Sequence, residues 1–332
     1  MDAALAVAGA NLLSPMVLCF ALGLAAALAK SDLSVPEAAA KALALYLLFS
    51  IGFKGGVEVA RTGVDARLAT ALLAGLALSA LLPVVAFALL RATTALSRLD
   101  AGAVAAHYGS ISIVTFVAAT AALEARALPA EGWLVAVAAA MEAPAILTGL
   151  LLAGRAAATP GPASGGLDAR LLREVALNGS IVLLVGAFAI GWITGPAGLA
   201  EIDSFVVAPF KGVLCLFLLD MGLVAGRGLR RGGGRLRPPV LAFGVVMPLI
   251  GGAVGLATGA LLGLSPGGMA LMAVLSGSAS YIAVPAAIRV ALPDSDPTVP
   301  LTLSLGITFP FNLVLGIPLW IAAAEALAGA AP

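Results

Sequence analysis

Apolar positions run along this chain in long blocks rather than in alternation. A block of about 20 apolar residues is long enough to cross a bilayer as a helix. The pattern predicts ten such spans, at roughly 12–29, 37–53, 68–90, 101–123, 132–153, 174–195, 204–225, 239–263, 268–292 and 299–326. Polar residues collect between the blocks. Lys30-Ser31-Asp32-Leu33-Ser34-Val35-Pro36 separates the first two, with Ser34 as the expected N-cap and Pro36 in the first turn that follows. Thr159-Pro160-Gly161-Pro162-Ala163-Ser164-Gly165-Gly166 has the composition of a flexible connection and falls at the midpoint. Pro293-Asp294-Ser295-Asp296-Pro297 is a tight turn before the last block. The expected fold is an all-α polytopic membrane protein, divided into residues 1–153, a linker 154–173 and residues 174–332.

Two blocks are interrupted by small polar residues. One contains His107-Tyr108-Gly109-Ser110-Ile111-Ser112, the other Ser276-Gly277-Ser278-Ala279-Ser280-Tyr281. Both carry Gly-Ser-x-Ser, and the second tetrad follows the first by 168 residues (277 minus 109). Glycine weakens a helix by about 1 kcal/mol, and serine offers its hydroxyl to nearby backbone groups. The pattern therefore predicts two broken helices. In lipid these persist only where they line a cavity or pack on protein. The match between halves extends to Ser14 with Ser180, Gly52 with Gly222, and Glu142 with Thr308, at offsets of 166 to 170. Five spans per half is an odd number, so the second half enters the membrane from the opposite side. The expectation is an inverted repeat about an axis in the membrane plane, and paired breaks of this kind point to a transporter's binding site.

Composition sharpens this picture. The chain has 332 residues, 61% hydrophobic and 11% charged, where soluble domains carry about 25% charged residues. A net charge of +1 gives no whole-molecule steering of an ion. Cys19 and Cys215 lie in apolar runs at unrelated spacing and read as core filler, suggesting neither a metal site nor a disulfide. Met1-Asp2 lacks the basic start of a signal peptide, so the first block reads as a span. Of the 18 Lys and Arg residues, thirteen fall in one set of loops, which includes the midpoint linker. Lys54, Arg61, Arg67 and Arg126 make up the other set, and Lys211 is left out as intramembrane. Positive charge favours the cytoplasmic side, which places both termini outside. The run from Arg227 to Arg237 lacks interleaved aromatics and reads as an anchor on anionic lipid, not as a nucleic-acid site.

The chemistry follows from the breaks. Each starts a new half-helix whose first N–H groups lack partners and whose dipole end is positive, which suits an anion. The candidate substrate-binding residues are Gly109, Ser110, Ile111 and Ser112 with Gly277, Ser278, Ala279 and Ser280. Carbonyls freed at the breaks suit Na⁺, the one coupling ion expected and the only cofactor-like species. Thr115, Tyr281 and Thr308 bring further hydroxyls. His107 is the single histidine, either titrating near neutral pH or holding a structural hydrogen bond. Glu142, ionisable inside a span, is a candidate for cation binding or proton relay. Its alternative is a structural pairing with Lys54 or Lys211 or a polar helix–helix contact, and Asp220 carries the same ambiguity. No transition-metal cluster, Walker loop or hydrolase motif is present, so the chain reads as no enzyme, and transport is expected to be secondary or passive.

Ile51-Gly52-Phe53-Lys54-Gly55-Gly56, Gly109-Ser110-Ile111-Ser112 with Thr115, Glu142-Ala143-Pro144-Ala145, Lys211-Gly212 with Met221-Gly222, and Ser276 to Ser280 with Pro285 and Arg289 follow one another in a specific order. In that order and spacing they resemble the sodium-dependent bicarbonate permeases of the SbtA type, along nearly the whole chain. The resemblance implies two inverted five-span repeats, a core and a gate domain, and elevator-like alternating access. It also implies a homotrimer in the bacterial inner membrane, Na⁺-driven bicarbonate uptake at the breaks, and, in cyanobacterial members, a PII-like cytoplasmic regulator. Tyr281 stands where those relatives carry an acid, and the linker 154–173 is shorter, as in a non-cyanobacterial branch. Two other readings stay open: an uncoupled anion channel or sensor, and an organic-anion carrier with a bile-acid-transporter-like fold.

Overall fold

The computed structural model describes residues 13–63, 66–154, 177, 179–232, 237–281, 284–285, 288, 292, 294–295 and 298–329. The midpoint linker, Arg289 and both extreme termini lie outside the described residues. The helices are α1 (Pro15–Leu28), α2 (Glu37–Thr62), α3 (Ala66–Thr93), α4 (Arg98–His107) and α5 (Ile113–Ala125). Then come α6 (Leu134–Gly154), α7 (Gly179–Val206), α8 (Phe210–Gly232), α9 (Pro238–Leu261), α10 (Pro266–Ser276) and α11 (Thr298–Gly329). No strand occurs among the described residues. Seven helices, α2, α3, α6, α7, α8, α9 and α11, are long and apolar enough to cross a membrane. Helices α1, α5 and α10 are shorter and apolar.

Local chemistry sets most boundaries. Ser14 caps α1 through Val17 N–H, with Pro15 in its first turn. Ser97 and Ser265 cap α4 and α10 in the same way. At α2 the cap position falls on Pro36 rather than the expected Ser34, and the helix runs on to Thr62, past the expected end at 53. Within that extension Lys54 pairs with Glu124 of α5, at 2.8 Å, with both side chains partly exposed. The expected stop of the sixth span at Gly195 is instead a kink. Gly195 takes φ +59°, a region open to glycine, and the helix resumes at Pro196 and continues to Val206. The block 101–123 is split between α4 and α5, as the tetrad requires. Two five-residue π-helical stretches, Ser304–Thr308 and Asn312–Gly316, interrupt α11.

The helices sort into two groups. Helices α1, α2, α7 and α8 pack chiefly on each other, through α2 against α7 and α1 against α8. Helices α3, α4 and α6 form one cluster of the second group, and α9, α10 and the end of α11 form another, with α5 lying against α10 and α11. The two crossings of the first group are made by glycine. A Cβ on Gly23 would fall 2.0 Å from the Leu219 carbonyl oxygen, and one on Gly56 1.9 Å from that of Phe188. Small residues at such contacts let helix backbones touch inside a membrane. Exposed apolar side chains such as Leu73, Leu81 and Ile193 form the outer surface that lipid would cover.

Gly56→Ala is expected to destabilise the protein by about 1–3 kcal/mol, because the added methyl meets backbone. Gly186→Ala, where nothing lies within 4 Å, should be neutral or gain up to about 1 kcal/mol of helix propensity. Thermal unfolding of the two variants in detergent checks the contrast.

Candidate functional site

The two tetrads, far apart in sequence, meet in the core. Tyr108 ends α4, residues 109–112 are non-helical, and Ser112 starts α5. Gly277 ends α10, and residues 278–281 are again non-helical. The helix expected after Tyr281 lies mostly outside the described residues. Each break is pressed against a neighbouring helix at its glycine. A Cβ on Gly109 would sit 2.4 Å from the ring of Pro83, and one on Gly277 2.7 Å from the carbonyl oxygen of Pro248.

Three hydrogen bonds tie one break to the other. Ser280 N–H donates to the His107 carbonyl at 2.8 Å. His107 Nδ1 lies 2.6 Å from the Ser280 carbonyl, and since a carbonyl only accepts, Nδ1 carries the proton. Both backbone groups of Ser280 are thus consumed by one residue. Ser112 N–H donates to Ser278 Oγ at 2.9 Å, and that hydroxyl donates onward to the Leu275 carbonyl at 3.0 Å. Ser278 and Ser280 therefore hold the two breaks together. His107 thus holds a buried hydrogen bond to the backbone of the second break.

Two further bonds anchor the breaks to α11. Thr308 donates to the Gly244 carbonyl and accepts from the Tyr108 hydroxyl, both at 2.7 Å. Asn312 Nδ2 donates to the Gly277 carbonyl at 2.8 Å. Thr308 closes one π-helical stretch and Asn312 opens the other. Tyr108 and Asn312 were not among the sequence candidates. The only sequence signal for Asn312 is an amide inside an apolar span.

Several polar atoms here remain unmatched. Ser110 Oγ, Ser276 Oγ, Asn312 Oδ1 and Glu142 Oε2 are buried with no hydrogen-bond partner. Ser112 Oγ accepts from Thr115 N–H at 3.2 Å and from the Thr115 hydroxyl at 2.9 Å, which leaves its own proton for another acceptor. The Tyr281 hydroxyl approaches Ser112 without meeting hydrogen-bond geometry. Every candidate residue is buried, Ile111 and Ala279 included. Glu142 follows a break in α6 at Met141, where the Ser79 hydroxyl donates to the Met141 carbonyl and accepts from Ala145 N–H. The contacts of Gly102 with Ala153 and of Gly149 with Ala106 pack the helix that follows Glu142 antiparallel to α4. It does not pair with Lys54, which Glu124 holds, and Lys211 is exposed on α8. The charged neighbour acting on Asp220 is Arg227.

Beside the first break lies an apolar cleft lined by Ala44, Leu47 and Leu48 of α2, Ile113, Val114 and Val117 of α5, and Phe217 of α8. It marks the seam between the two helix groups. No group of three or more metal-ligating side chains occurs among the described residues.

Residues 15–325 match the family model of the Na⁺-dependent bicarbonate transporter superfamily. The match covers nearly the whole chain, which belongs to that superfamily, a transporter and not an enzyme family. No curated protein matches the chain.

Ser278→Ala leaves the buried Ser112 N–H without an acceptor, which costs about 1–3 kcal/mol. Ser110→Ala removes a hydroxyl that bonds nothing and should leave stability nearly unchanged. Melting midpoints of the two variants, measured side by side, are expected to differ in that order.

Proposed function

We propose that this chain moves bicarbonate into the cell together with Na⁺, as a secondary symporter, with the anion held between the two breaks. The observation that carries the reading is Ser110. It is fully buried where α4 ends and α5 begins, and its hydroxyl has no partner. Polar groups buried in this way are costly unless something bonds them. A small oxyanion meets that need with several acceptor oxygens. The free proton of Ser112 and the positive end of α5 add to the same binding potential.

The cation completes the charge balance. Glu142 Oε2 and Asn312 Oδ1 are buried oxygens without partners, the kind of hard donor that a small cation takes. An ionised carboxylate inside a membrane is costly without a counter-charge, so a bound Na⁺ and an ionised Glu142 favour each other. Thr115, Thr308 and Tyr281 are secondary candidates. Tyr281 replaces the acid of the cyanobacterial relatives, which leaves Glu142 as the candidate carboxylate for coupling.

The architecture we propose is ten spans in two inverted halves, 1–153 and 174–332, joined by the linker 154–173. Matching contacts support it. Gly23, Gly52 and Gly56 recur as Gly191, Gly222 and Gly226, at offsets of 168, 170 and 170, and each sits at a helix crossing of the first group. Pro83 lies against Gly109 as Pro248 lies against Gly277. In this reading α1, α2, α7 and α8 are the gate and the remaining helices an elevator core, with the apolar cleft at their seam. The excess of Lys and Arg on one side orients both termini outward in the inner membrane, and the family resemblance supports a trimer.

In proteoliposomes an inward Na⁺ gradient should accelerate labelled bicarbonate uptake. Flux indifferent to the gradient would replace symport by an uncoupled anion channel, and competition by bulky organic anions would point to an organic-anion carrier. Ser110→Ala should raise the KM for bicarbonate about 10- to 100-fold, since a hydrogen bond to a charged group contributes about 1.5–3 kcal/mol. Glu142→Gln should abolish the Na⁺ dependence; an unchanged dependence would make this residue structural.

A further inference from the structure

The spacing of Cys19 and Cys215 along the chain gives no hint that they are related. The fold brings them together. Helices α1 and α8 run side by side in the same direction: Gly222 meets Phe20 and Leu24, and Gly226 meets Leu24 and Ala27. Gly23 lies against Leu219 so closely that a Cβ would fall 2.0 Å from its carbonyl oxygen. One helical turn back on both helices, four residues in each case, gives Cys19 facing Cys215. The two thiols are near enough to act on each other electrostatically. They are the only cysteines in the chain, and both are free thiols of intermediate burial.

This geometry differs from an ordinary pair of packed thiols. A disulfide needs Cα atoms about 4.4–6.8 Å apart, whereas helices usually pack with axes about 8–10 Å apart. The glycines of this crossing remove that obstacle by letting the backbones touch. Both cysteines also lie in the first two turns of their helices, so they occupy the same end of the pair. That end is the one the loop charge count places outside the cytoplasm, where disulfides persist.

We propose that Cys19 and Cys215 form a redox-reversible disulfide that staples α1 to α8. The oxidant is another disulfide. One cysteine, as thiolate, attacks it to give a mixed disulfide and releases the first thiol of the oxidant. The second cysteine then attacks the mixed disulfide, forming the Cys19–Cys215 bond and releasing the second thiol. Two protons and two electrons pass to the oxidant, which leaves as two thiols or one dithiol. The bond joins residues 196 apart in sequence (215 minus 19), so it removes a long loop's freedom from the unfolded chain. Its effect belongs to stability and is independent of which anion the protein carries.

The test uses the full chain in detergent micelles and 4,4′-dithiodipyridine, an apolar disulfide that enters the micelle. The expected result is release of two thiopyridones per chain, no retained adduct, and a mass lower by two hydrogens. Cys19→Ser and Cys215→Ser should each release one thiopyridone and keep one adduct. Peptide mapping of the oxidised wild-type chain should recover the Cys19 and Cys215 peptides joined, which needs no variant to fold. The oxidised chain should melt several degrees above the reduced chain, and dithiothreitol should reverse the shift. Two retained adducts, no reaction, a disulfide between separate chains, or an unchanged melting midpoint would each overturn the staple.

Discussion

Inside a bilayer there is no water to satisfy a backbone amide, so every interruption of a helix needs a partner made of protein. This chain leaves its helical path at residues 109–112 and 278–281 and meets the need by setting the two breaks against each other. Ser280 uses both of its backbone groups on His107, and Ser112 gives its amide to Ser278. Helix α11 adds two bonds from its π-helical stretches, Thr308 accepting from the Tyr108 hydroxyl and Asn312 donating to the Gly277 carbonyl. A π-helical turn shifts the side-chain register relative to an α-helix, and such turns recur at functional sites. Here the two residues that reach the breaks stand at the edges of these turns. What is left unbonded after this mutual satisfaction, Ser110 above all, is a set of buried polar atoms with no partner in the protein.

Much of this was legible in the sequence because it depends on local chemistry. Gly-Ser-x-Ser weakens a helix wherever it occurs, so residues 109–112 and 277–280 read as breaks before any contact was known. The positions of most helices followed from the length of the apolar blocks. The division of labour among the serines was not legible. Ser110 and Ser278 occupy equivalent tetrad positions, yet one is unpartnered and the other joins the two breaks. That difference arises from residues 166 apart meeting in space, which spacing along one chain does not reveal.

The errors have the same origin. Lys54 was a candidate partner for Glu142 only because both are charged and apolar sequence surrounds them; the fold gives Lys54 to Glu124 and caps it with the ring of Phe210 at 5.2 Å. Ser79, one serine in a long apolar helix, carries no sequence signal, yet it mends the break in α6 beside Glu142. The sixth apolar block ends at residue 195, yet the helix passes through Gly195-Pro196 to Val206. A glycine at positive φ absorbed the turn and the helix continued.

The double bond between Ser280 and His107 has a mechanical corollary. Sliding α4 past α10 would strip two buried hydrogen bonds at once, so the two breaks hold to each other as a single rigid unit. Any large displacement must then be accommodated at the seam where Leu47, Leu48 and Phe217 face Ile113, Val114 and Val117. Those side chains offer no directional bond, so the clasp between α2 and α5 is the partly exposed Lys54–Glu124 ion pair, whose opening would free the greasy contact to shear.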